Sequence, residues 1–176
     1  MKTVILTEQP INNINGMKYF RDKLIGEDKA EVTCLQYSPK ERRDIIGEIR
    51  ALRPDVLVTV DLPGFEQRTL TDNISYNLLD CKQLHLLLHE NPGNESCLAG
   101  QLSIAMFFYC EGDALYNRLA QRYPHLPYLK KLSEKPENPG QLNADDRTES
   151  RSGACYYEAL QEMLQEWRPG LYSCRS

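Results

Sequence analysis

No long apolar run interrupts this chain of 176 residues. Nothing approaches the roughly 20 consecutive apolar residues that a membrane-crossing helix needs. The opening Met1 to Glu8 is too short in apolar length for a signal peptide and has no small-residue cleavage site, so it reads as a first strand and the chain as cytoplasmic. The six cysteines (Cys34, Cys81, Cys97, Cys110, Cys155 and Cys174) form no C-x-x-C pair, which excludes the usual structural zinc spacing. In a reducing compartment they are expected as free thiols, several of them buried as small hydrophobes. There is no G-x-G-x-x-G, no G-x-x-x-x-G-K-[ST] and no G-x-S-x-G, so neither a well-marked phosphate loop nor a nucleophile elbow is present. Excess positive charge is also missing. The net charge is −4, and Arg42-Arg43 with Arg50 and Arg53 alternate with Glu41, Asp44 and Glu48. That pattern is a solvated mixed-charge helix face rather than a nucleic-acid surface.

What remains is an alternation of short apolar runs with helical patterns, in a chain sized for a single domain spanning residues 1–176. Thr3 to Thr7 reads as a strand. Met17, Phe20 and Leu24 then fall at helical spacing over residues 14–25. Glu31 to Tyr37 alternates as a second strand. Ser38-Pro39-Lys40-Glu41 reads as a helix start with a capping box, followed by an apolar stripe of Ile45, Ile46, Ile49 and Leu52 that stops at Arg53-Pro54. Val56 to Val60 is a continuous β-branched run, suited to a central strand covered on both faces.

Further on, Asp72 or Asn73 can cap a helix with Ile74, Leu78 and Cys81 inward. Leu84 to His89 and Leu102 to Cys110 read as fourth and fifth strands, and residues 114–123 as a helix ended by Pro124. Residues 130–152 are polar and read as a long mobile loop, and a C-terminal helix is expected over about 154–167. The sum predicts an α/β three-layer sandwich around a mostly parallel five-stranded sheet, Rossmann-like or flavodoxin-like. The connection into the fifth strand shows no clear helix, which leaves that strand's direction open.

In such folds ligands sit at the carboxyl ends of the strands. The most informative stretch is therefore Asp55 to Asp80, where a buried strand breaks at Asp61-Leu62-Pro63-Gly64 into a polar loop. Asp61, Glu66 and His89 are the candidate catalytic acid/base groups. Glu8, Asn12, Asn13, Thr69, Asn73 and Glu90 are the candidate ligand-binding groups. The same edge also gathers Ser38, Glu111 and Asp113, whose residue types suit helix caps regardless of function. His85 and His89 lie four apart on one expected strand, roughly 13 Å from each other, which is too far for one metal. The Ser152-Gly153-Ala154-Cys155 turn is expected to cap the last helix rather than hold a nucleophile.

The strand leading into a polar turn, followed by the buried strand ending in Asp61-Leu62-Pro63-Gly64-Phe65, resembles the N-terminal half of two-domain glycosyltransferases over residues 1–90. No counterpart of their C-terminal nucleotide-binding half is expected here. The leading expectation is a protein that binds a small polar ligand, a sugar or nucleoside derivative, as a transferase or hydrolase. The residues name no particular cofactor and leave that question open, and no nucleic-acid or membrane partner is expected. The rival is a non-catalytic binding or interaction module. Convergence of Glu8, Asp61, Glu66 and His89 favours the first, and an exposed apolar patch around Phe108, Tyr109 or Tyr128 the second.

Overall fold

The β-branched and aliphatic runs build one parallel sheet, and the amphipathic segments between them cover its two faces. The structure is a computed structural model that describes residues 1–38, 40–41, 43–61, 79–90, 106–124, 126, 128–133 and 144–166. Its strands are β1 (Lys2–Thr7), β2 (Glu31–Gln36), β3 (Val56–Val60), β4 (Lys82–Leu87), β5 (Met106–Cys110) and β6 (Leu129–Lys131). They lie in the order β2-β1-β3-β4-β5-β6, and every neighbouring pair is parallel. This is the flavodoxin-like doubly wound order extended by one strand. The α/β sandwich is therefore as expected. The fifth strand is parallel, and the short sixth strand stands where the polar loop is expected to begin.

Four helices flank the sheet among the described residues: α1 (Met17–Gly26), α2 (Ile45–Leu52), α3 (Asp113–Arg122) and α4 (Ala144–Glu166). On one face Ile45, Ile46 and Ile49 of α2 and Leu115 and Leu119 of α3 pack over Leu6, Leu57 and Phe108. On the other, Met17, Phe20 and Leu24 of α1 and Tyr156, Leu160 and Met163 of α4 pack over Ile5, Val58 and Leu84. All five residues of β3 are buried, which fits its place inside the sheet. Each fully buried aliphatic side chain contributes about 1.5–3 kcal/mol by leaving water. Among the described residues, no helix is long and apolar enough to cross a membrane.

Three local expectations are corrected. The second helix starts at Ile45, with Asp44 as its cap accepting from the Gly47 N–H at 2.9 Å. Ser38 instead closes a turn, its carbonyl accepting from the Glu41 N–H at 2.9 Å. The Asp44 carboxylate also lies so close over Gly47 that a Cβ there would overlap it, which suits glycine at that position. The fourth strand lies two residues earlier than expected, so His89 stands beyond its end rather than on it. Finally, residues 144–152 are the first turns of α4, where polar composition suggests loop. Polar composition there does not exclude a helix, and Glu149 and Ser152 are half-buried by hydrogen bonds to the β1–α1 connection. Ser152 is inside this helix and caps nothing, and the Cys155 thiol donates to the Ser133 carbonyl at 2.8 Å.

A polar line crosses the α2/α3 face of the sheet. The His85 ring stacks on Phe108 with centroids 5.2 Å apart, and its Nδ1 lies 2.6 Å from the Thr59 hydroxyl. Its Nε2 lies 2.9 Å from the Gln83 side-chain oxygen. A carbonyl oxygen only accepts, so Nε2 carries the proton and Nδ1 accepts from Thr59. Burial holds the ring neutral, pushing its pKa down from 6.5 to about 3. The unfolded chain takes up this proton below about pH 6.5 and the folded chain does not until about pH 3, so acid favours unfolding across that window. This residue alone is expected to remove about 2 kcal/mol of stability between pH 7 and pH 5. Urea unfolding at the two pH values checks this: His85→Gln should lose markedly less stability than the wild type over the same interval. Equal losses would place a charged or solvated ring at this position.

Candidate functional site

In the doubly wound order, β1 connects outward to β2 and the chain then crosses back to β3, with α1 and α2 on opposite faces. The carboxyl ends of β1 and β3 therefore open into a crevice, the switch point at which such folds take ligands. A cavity of about 440 Å³ lies there. The residue after each strand supplies its polar lining: Glu8 and Gln9 after β1, Asp61 after β3, His89 just beyond β4 and Glu111 after β5. The β1–α1 connection adds Asn13, Ile14 and Asn15, and α4 contributes Tyr156.

Asp61 organises the far wall. Its backbone is left-handed, with φ +52°, a conformation that Asp tolerates better than most residues. Its N–H donates to the Leu86 carbonyl at 2.9 Å. Its Oδ1 accepts from the backbone N–H groups of Leu88 and His89, at 2.8 and 3.1 Å. Its Oδ2 lies 2.8 Å from His89 Nδ1. A carboxylate only accepts, so Nδ1 carries the proton and Nε2 is the basic nitrogen of the neutral ring. The His89 side chain is 78% exposed and that of Asp61 16%, so the imidazole is reachable by a ligand while the carboxylate is sheltered behind it.

The near wall is held by α4. The Glu149 carboxylate accepts from the Gly16 N–H and from the Tyr19 N–H, the latter at 3.3 Å, and so caps the start of α1. The Asn15 side-chain amide donates to the Ser152 hydroxyl at 3.0 Å, and the Tyr156 hydroxyl donates to the Asn15 carbonyl at 2.9 Å. Gly16 has φ +83°, and Gly16 and Gly153 lie backbone against backbone. Glu149, Ser152, Gly153 and Tyr156 thus share one helix face by their i, i+3, i+4, i+7 spacing. Burial first, and then the negative charge of Glu111, pushes the Tyr156 phenol up, so it stays a neutral donor.

Of the expected residues, the structure brings together Glu8, Asn13, Asp61 and His89. Asn12 sits on the exposed 3-10 turn Ile11–Asn13 and does not line the cavity. Glu90 turns aside to an ion pair with Arg118 of α3. Glu66, Thr69 and Asn73 lie outside the described residues. The sequence reading did not assign Gln9, Tyr156 or the Glu149 cap to the site. For Glu149 and Tyr156 the available signal was their helical spacing with Ser152 and Gly153. Among the described residues, no group of three or more His, Cys, Asp or Glu side chains is arranged to hold a metal ion. Set against known protein families, curated proteins and solved structures, the chain finds no match in any of the three.

The closeness of α1 and α4 yields a test. A Cβ at Gly153 would stand 2.6 Å from the Gly16 carbonyl and from a Tyr19 ring carbon. Alanine gains about 1 kcal/mol of helix propensity, but overpacking against backbone costs about 1–3 kcal/mol. The carbonyl cannot rotate away, so the overlap prevails. Gly153→Ala is expected to lower the melting temperature by at least about 2 °C. An unchanged or raised melting temperature would mean that the two helices do not meet at this point.

Proposed function

We propose that this chain binds a small polar ligand, a sugar or nucleoside derivative, in the crevice between the ends of β1 and β3. It acts on that ligand as a hydrolase or transferase with His89 as general base. The observation that carries the reading is the Asp61–His89 contact at 2.8 Å inside the cavity. Asp61 fixes the tautomer and stabilises the imidazolium, so that Nε2 can take a proton from water or from an acceptor hydroxyl. Glu8, Glu111 and Asn13 would accept hydrogen bonds from ligand hydroxyls, which suits a polyol or ribose. The rival reading as an interaction module is favoured by an apolar surface patch around Phe108, Tyr109 or Tyr128; Phe108 and Tyr109 are buried, and Tyr128 is half-buried against the core.

Asp61→Asn separates catalysis from architecture. The amide oxygen still accepts from the Leu88 and His89 N–H groups, so the melting temperature should move by less than about 3 °C. The amide nitrogen then faces His89 Nδ1 and donates to it, which moves the ring proton to Nε2 and removes the base. Turnover of activated glycosides or nucleosides should fall at least about tenfold. Asp61→Ala, which leaves two N–H groups without their acceptor, should lose about 1–3 kcal/mol of stability. If neither sugars nor nucleosides stabilise the wild type in thermal shift, the proposal fails. The same holds if Asp61→Asn and His89→Gln both turn over at the wild-type rate.

A further inference from the structure

The first turn of a helix that follows β1 is the usual seat for a phosphate in doubly wound folds, because its free N–H groups and the helix dipole attract anions. Here that seat is taken. The Glu149 carboxylate reaches across from α4 and accepts from the Gly16 and Tyr19 N–H groups. It is held there by more than its own hydrogen bonds, since the Gly16–Gly153 backbone contact and the Asn15–Ser152 and Tyr156–Asn15 bonds pin α4 to the same turn.

The cavity beside this seat, lined by the adjoining Asn13, Ile14 and Asn15, agrees in sign. Glu8, Asp61 and Glu111 line it, and no lysine or arginine does so among the described residues. Neither the Glu8 nor the Glu111 side chain has an ion-pair partner among the described residues. Among the described residues, a phosphate entering this crevice would meet the Glu8 and Glu111 carboxylates in a partly desolvated space with no lysine or arginine beside them.

We infer that Glu149 is a specificity-determining residue that fills the phosphate seat with the protein's own carboxylate, so that the crevice selects ligands rich in hydroxyl groups and without a phosphate. This rests on the reading of the crevice as the ligand site and adds the class of ligand to it. Donor-rich groups are favoured by the acceptors lining the cavity. The phosphorylated form of the same compound is turned away at the start of α1.

The test compares pairs that differ only in phosphate: glucose with glucose 6-phosphate, and adenosine with its 5′-monophosphate. Inorganic phosphate is the third probe. Amide chemical shifts in the full chain report where each one binds. In the wild type, at least one unphosphorylated compound should shift the amides of Asn13 and His89 and bind at least about tenfold more tightly than its phosphorylated partner. Inorganic phosphate should leave the Gly16 and Tyr19 amides in place. In Glu149→Ala those two amides should move with inorganic phosphate, and the preference within each pair should shrink or reverse. Glu149→Gln, which keeps an acceptor at the cap, provides a folded comparison and should show the same trend more weakly.

Tighter binding of the phosphorylated partner by the wild type would overturn the role given to Glu149 while leaving the crevice as the site. So would a preference that both variants retain unchanged. If no probe moves any crevice amide in the wild type, the reading of the crevice fails, and the inference fails with it.

Discussion

The site depends on one carboxylate at the end of the central strand. β3 runs buried to Val60, and at Asp61 the backbone turns left-handed. For a residue with a Cβ that conformation costs about 1–2 kcal/mol. Hydrogen bonds accepted by the same side chain offset it, two from the backbone N–H groups of Leu88 and His89 and one from the His89 ring. Just beyond β4, those two N–H groups bond to the Asp61 side chain rather than to a neighbouring strand. A single residue therefore binds the backbone just beyond β4 and sets the tautomer of the imidazole.

The opposite wall is made by a helix distant in sequence. α4 carries an apolar face of Tyr156, Leu160 and Met163 that binds it to the sheet. The turn before that face carries Glu149, Ser152 and Gly153, which bind it to the β1–α1 connection. Burial of the apolar part supplies the stability, and the polar part uses it to hold Asn13, Ile14 and Asn15 in place. The same contacts close the anion seat of α1. On the proposed reading, fold and ligand choice are one arrangement, because the carboxylate that caps α1 would also be the one that repels a phosphate.

Much of this was legible in the residues. The β-branched run at Val56 to Val60 marked a central strand, and the spacing of Met17, Phe20 and Leu24 marked α1 and its buried face. Glu8, Asn13, Asp61 and His89 were legible as candidates because strand ends in a parallel sheet share one edge. Other features depend on partners that periodicity does not carry. Asp44 rather than Ser38 caps α2. The fourth strand stops at Leu87, and the next two N–H groups bond to Asp61, remote in sequence. The strand at Leu129–Lys131 is too short and too polar to announce itself. The first turns of α4 read as loop because their side chains are polar, yet two of those side chains hold the near wall. Asn12 and Glu90 had the right residue types but point elsewhere, one on an exposed turn and one paired with Arg118.

The central claim is that Asp61 holds His89 with Nδ1 protonated and Nε2 basic. The nitrogen-15 chemical shifts of the His89 ring, measured on labelled protein at a pH where the imidazole is neutral, test it most directly. The account predicts a protonated Nδ1 and an unprotonated Nε2 in the wild type, with the two exchanging identities in Asp61→Asn. A wild-type ring with its proton on Nε2, or a tautomer that ignores the substitution, would contradict it.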